Sequence, residues 1–147
     1  MTEKERQLLF KDLCARLPYG VKVLADIDKT FDGGFIGIIN KIEPYVGDKF
    51  PELKGQYLLY EKGCLTPLVV DEVRPYLRPM SSMTAEEENF YYSCLDEMDG
   101  YKQTFPVIYQ DKALSLFDFL NAHHFDYHNL IEKGLALEAP EGMYKVE

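Results

Sequence analysis

The sequence predicts an α+β fold: a small, curled, barrel-like antiparallel sheet flanked by an N-terminal helix and two or three C-terminal helices. Three observations carry this. Leu9, Leu13 and Leu17, with Phe10 and Cys14, recur at helical spacing near the start. Short β-branched runs broken by glycines fill residues 20–73. The junction Asp71–Glu88, DEVRPYLRPMSSMTAEEE, then stops one kind of structure and starts another. Its prolines, Pro75 and Pro79, lack the amide donor of a central strand and push Arg74 and Arg78 toward extended backbone. Thr84 with Glu87 forms a capping box, and Glu86–Glu88 sit at the positive end of the coming helix.

A single domain over residues 1–147 follows, β-rich over 20–73 and helix-rich over 84–134. Thr2 and Glu5 form a first capping box, so a helix is expected over about residues 3–16, ended by Pro18 and Gly20. Val21, Val23 and Ala25 alternate as a first strand, and Asp28–Gly34 reads as a loop. Phe35–Ile42 is a second strand, in which Gly37 suggests a bulge or a close backbone approach. Gln56–Glu61 and Thr66–Val73 complete a four-stranded meander. An open sheet with the first helix on one face fits the same pattern as well as a barrel does. Beyond the junction, Ala85–Met98 reads as a helix closed by Asp99-Gly100, Phe105–Tyr109 as an edge strand, and Leu114–His123 as a helix with Leu116, Phe117 and Leu120 inward. Asp126 is expected to cap a short helix over Tyr127–Lys133 that stops at Gly134, before an irregular tail.

Composition narrows the function classes. Of the net charge of −9, residues 81–147 carry thirteen acids against four bases, while the rest is near neutral. Such a field repels phosphate backbones, so direct nucleic-acid binding is not expected. Eleven Tyr, nine Phe and no Trp supply the aromatic bulk, for a core or a contact surface. Cys14, Cys64 and Cys94 form no CxxC pair and read as reduced thiols, mostly packed as small hydrophobes. MTEKERQLLFKDL lacks the apolar block of a secretory leader, and no run is long enough to span a bilayer, so a cytoplasmic protein is expected.

One polar cluster could carry chemistry. NAHHFDYHN, Asn121–Asn129, holds all three histidines, His123, His124 and His128, with Asp126. His124 and His128 are four apart, a spacing that chelates zinc on one helical face. Asp126 as a cap breaks that helix, however, and no HExxH glutamate or nearby cysteine completes a site. The plainer reading is a corner whose histidines cap carbonyls or pack on rings, and a metal-dependent hydrolase on these four residues is the alternative. No Cys–His or Ser–His–Asp signature, GxSxG elbow or phosphate-binding glycine loop is present, and no cofactor is expected. Arg74 and Arg78 around Tyr76 could hold an anion, or could pair with the acids just downstream, which is preferred. Tyr91, Tyr92 and Tyr101, beside surplus negative charge, are candidate contacts for a partner protein. A non-catalytic, protein-binding domain is therefore expected, with an acidic nucleic-acid mimic as a further alternative.

Three segments also carry a resemblance: LPYGVKV (Leu17–Val23), EVRPYLRPMSSMT (Glu72–Thr84) and FLNAHHFDYHNLIEKGLALEAPEGMYK (Phe119–Lys145). Together, 47 of the 147 residues resemble a recurrent group of small uncharacterised proteins of gut anaerobic bacteria, often encoded in prophages or other mobile regions. The resemblance implies an accessory protein of mobile DNA acting on a phage or host protein, and it transfers no catalytic residue.

Overall fold

The computed structural model describes residues 1–26, 34–63, 66–102 and 106–144. Helix α1 (Glu3–Arg16) begins at Thr2, whose hydroxyl accepts from the Glu5 amide while the Glu5 carboxylate accepts from the Thr2 amide. Strands β1 (Lys22–Ala25), β2 (Phe35–Pro44), β3 (Tyr57–Glu61) and β4 (Val73–Leu77) follow. Helices α2 (Ala85–Tyr101) and α3 (Pro106–Ala122) form a hairpin, and β5 (Leu137–Glu138) ends the succession. The sheet has the order β3-β2-β1-β4-β5. All its pairings are antiparallel except β4 with β5, and it is open rather than closed into a barrel. No helix among the described residues is long and apolar enough to cross a membrane.

The main core lies where α1 meets the sheet. Leu9 and Leu13 pack with Val21, Val23, Ala25, Ile39, Leu59 and Leu77, and with Leu130 and Leu135 from beyond α3. Each such leucine contributes about 1.5–3 kcal/mol on leaving water. A smaller core of Cys94, Leu116, Leu120 and Phe125 sits under the α2–α3 hairpin. Gly37 meets its expectation of a close approach, because a Cβ there would overlap the Glu61 side chain of the neighbouring strand.

Several local expectations change. Thr66–Val73 is not one strand: Leu68 makes an isolated bridge to Leu59, and a 3-10 turn at Val70–Glu72 leads into β4. Strand β4 contains Pro75 yet lies between β1 and β5. The register explains why. Asp26 donates its amide to the Glu72 carbonyl at 2.9 Å, and pairs alternate along an antiparallel ladder. Val23 opposite Pro75 is thus a non-bonded pair, and the missing amide faces away from β1. Strand β5 begins only opposite Tyr76, beyond the proline.

Helix α2 runs through Asp99-Gly100 to Tyr101 instead of ending there. Pro106 opens α3 rather than an edge strand, since a helix's first residue needs no amide partner. Phe105 lies outside the described residues, as do Cys64 and most of the Asp28–Gly34 loop. Tyr127–Lys133 forms turns rather than a helix, although Asp126 does cap them and Gly134 is left-handed (φ 75°). Cys14 is exposed and Cys94 buried. Phe117, expected inward, is 47% exposed.

The tail does specific work on the sheet. At the Lys22–Tyr76 position the ladder opens, and the Tyr144 hydroxyl enters it. That hydroxyl accepts from the Lys22 amide at 2.8 Å and donates to the Tyr76 carbonyl at 2.8 Å. Burial pushes the phenol up to about 12, so it remains a neutral donor. Tyr144→Phe leaves both backbone groups unbonded, and we expect a loss of about 1–3 kcal/mol, read as a lowered urea midpoint with an unchanged slope. An unchanged midpoint would show that the hydroxyl is dispensable.

Candidate functional site

The histidine corner is built by the end of α3. The His124 amide reaches the Asn121 carbonyl at 3.1 Å and the Phe125 amide the Leu120 carbonyl at 2.9 Å, with His124 left-handed at φ 61°. This is the closing geometry that helices usually give to glycine. The chain then runs beside the extension of β4. The Arg78 amide donates to His124, and the Asp126 amide donates to Arg78, each at 2.8 Å. The Asp126 carboxylate accepts from the Leu130 and Ile131 amides at 2.7 and 2.9 Å, fixing the turns that follow.

From this corner the three imidazoles diverge. His123 Nδ1 lies 3.2 Å from a Glu87 oxygen. His128 Nδ1 lies 3.0 Å from Asp12. His124 stacks on the Tyr144 ring with centroids 3.7 Å apart, and its buried Nδ1 has no hydrogen-bond partner among the described residues. Asp126 is occupied by backbone amides. Among the described residues, no three His, Cys, Asp or Glu side chains are grouped so as to hold a metal ion. The four residues therefore act as joints between elements. The histidines lie against aromatic rings, while His123 and His128 face the carboxylates of Glu87 and Asp12 instead of the carbonyls expected.

Two ion-pair centres complete the joints. Arg78 makes a two-pronged contact to Glu87 at 2.9 and 2.8 Å and lies over the Phe125 ring at 4.3 Å. Glu87 also accepts from the Thr84 amide, so the capping box and the arginine share one carboxylate. The Arg78 guanidinium, with the Thr84 amide, outweighs burial and holds the Glu87 carboxyl down to about 2. The preferred pairing of Arg78 with an acid downstream is thus realised.

The second centre was not anticipated from the sequence. Asp12 and Arg16 of α1 are wholly buried and joined at 2.7 and 3.0 Å. Arg16 also donates to the Phe125 carbonyl at 2.6 Å. Burial alone would raise the Asp12 carboxyl, but hydrogen bonds from His128 and Arg16 hold it below the ordinary carboxylate value. A signal was present: Asp12 and Arg16 are four apart and share the helical face of Leu9 and Leu13.

The remaining candidates scatter. Arg74 is exposed and lines a cleft of about 490 Å³ with Asp26, Asp71, Glu72 and Lys133. Tyr76 is half-buried, its carbonyl engaged by Tyr144. Tyr91 is half-buried against the smaller core and meets the 59%-exposed Tyr92 edge-on at 5.3 Å, and Tyr101 is half-buried at the end of α2. An exposed apolar stripe of the hairpin was missed. Val107, Leu114 and Phe117 of α3, at spacings of seven and three, are 79%, 65% and 47% exposed. No protein-family model, characterised protein or solved structure matches this chain.

The corner responds to acid in two stages. Burial, with the nearby cations Arg16, Arg78 and Lys22, pushes His124 down to about 4. Between the ordinary histidine range and that value, the unfolded chain binds a proton that the folded chain refuses. Stability therefore falls as pH drops through this window. Glu87, held near 2, adds a second loss below the ordinary carboxylate range. His124→Asn, which tolerates the left-handed backbone, should lower stability at neutral pH and flatten the first stage while leaving the second. Urea midpoints measured from neutral pH down to about 3 check this, and a first stage unaltered by the substitution contradicts it.

Proposed function

We propose that this chain is a non-catalytic accessory domain that binds another protein through the outward face of its α2–α3 hairpin. The context we propose is a prophage or other mobile element of a gut anaerobe, as the resembling segments imply. One observation carries the binding role: the apolar stripe of Val107, Leu114 and Phe117, left uncovered on α3 while Leu116 and Leu120 of the same helix are buried. A stripe of that size on a solvated helix costs solubility unless something covers it. The charge around it describes the partner. Residues 85–122 hold eight acids and two lysines, so an apolar patch rimmed by Lys or Arg fits, whereas a phosphate backbone does not. The histidines and their acids, engaged in joining α1, β4 and α2 to the corner, support contact rather than turnover.

Val107→Ser with Leu114→Ser tests this, because both side chains project away from the cores. Capture from host lysate should return a stoichiometric partner with the parent chain, released by salt, and weakened tenfold or more with the double variant, about 1.4 kcal/mol. The variant must keep the parent's circular dichroism and urea midpoint. No stoichiometric partner, neither a different protein nor a further copy of this chain, or equal retention by the variant, overturns the reading.

A further inference from the structure

A second surface of the molecule matches the description of that partner. On the exposed side of α1, Lys4, Gln7, Leu8 and Lys11 recur at spacings of three, one and three, and with Phe10 and Lys133 they line a groove of about 840 Å³. Leu8 and Phe10 are half-buried and form an apolar floor, and Lys4, Lys11 and Lys133 are exposed at the rim. The one acid in the lining, Glu5, already accepts from the Thr2 amide at 2.7 Å. No residue of α3 lines this groove, so the α3 stripe does not fill it within one molecule.

The spacings agree as well as the charges. Lys4 and Lys11 are seven residues apart on one helix, with Leu8 between them. Asp111 and Asp118 are seven residues apart on the other, with Leu114 between them. At 1.5 Å per residue both separations are about 10 Å, so two ion pairs can form at once around an apolar contact, in either helix direction. Both aspartates are exposed, and Asp118 meets the Tyr19 hydroxyl at 3.3 Å through one oxygen, leaving the other. The neighbouring Lys112 is paired with Glu97 at 2.7 Å and does not offset them.

Resting on the contact face argued above, we infer that its occupant is a second copy of this chain, whose α1 groove receives the α3 stripe. The contact is head to tail. Pairing stripe with stripe would set acid against acid, whereas stripe in groove sets Asp111 and Asp118 against Lys4 and Lys11. Because each copy offers both surfaces, the contact repeats and builds a row, or a ring where the rotation between copies closes.

Sedimentation velocity from about 10 to about 500 µM decides it. The parent chain should shift from monomer to larger species as concentration rises, and return toward monomer in high salt. Lys4→Glu with Lys11→Glu, or Asp111→Lys with Asp118→Lys, should each leave a folded monomer, checked by circular dichroism. An equimolar mixture of these two variants should associate again, because each reversed surface then faces its opposite. A parent chain that stays monomeric throughout, association that strengthens with salt, or a mixture that fails to recover overturns the inference. A monomeric parent that still captures a different basic protein through Val107 and Leu114 removes the second copy as occupant and leaves the contact face standing.

Discussion

The buried contact of Arg16 with Asp12 and the Phe125 carbonyl is the constraint on which the rest of the architecture depends. A guanidinium with no exposure to water is tolerable only when an opposite charge lies against it. Here Asp12 supplies the charge from one turn earlier, and Phe125 supplies a carbonyl from 109 residues away. That one side chain therefore fixes where the end of α3 lies relative to the first helix. The Tyr127 ring, 5.1 Å from the guanidinium, and His128 close the site from the far side. Removing either member of such a pair leaves an uncompensated interior charge, typically about 3–5 kcal/mol. Arg16 Nη1 is without a hydrogen-bond partner among the described residues, so the arrangement is held by geometry more than by complete satisfaction.

Arg78 repeats the principle at the other side of the corner, and the two arginines sandwich the same short segment. Arg78 faces Phe125 through its ring and His124 through the backbone, and Arg16 faces Phe125 through its carbonyl. The recurring theme is a guanidinium set against an aromatic ring, with one carboxylate assigned to each. Both carboxylates also receive a histidine, which accounts for a cluster that resembles a metal site in sequence and serves as a joint in three dimensions.

What the sequence made legible was whatever local chemistry decides. Thr2 with Glu5 and Thr84 with Glu87 marked the starts of α1 and α2, because a capping box is complete within four residues. What stayed hidden depended on partners far away. Pro75 could be placed in a central strand only with the register to β1 in hand, and β5 exists only because β4 offers it a free side. FPVIY has strand-forming composition, yet from Pro106 onward helical continuity with the residues that follow prevails. For the contact face, aromatic content drew attention to Tyr91, Tyr92 and Tyr101, while Val107 and Leu114 of α3 are aliphatic residues whose outward direction no periodicity could settle. Phe117 shows the difficulty, since it shares spacing with Leu120 but not its burial.

The wedge made by Tyr144 has a kinetic meaning. The Lys22 amide waits for a hydroxyl 122 positions further along the chain, and the Tyr76 carbonyl waits for the same group across 68. Contacts that close such long loops form late, because the entropy of closure precedes any reward. The pairing of β1 with β4 needs a loop of only about 50 residues, so until the longer loop to Tyr144 closes, two backbone groups of that seam stand open to water.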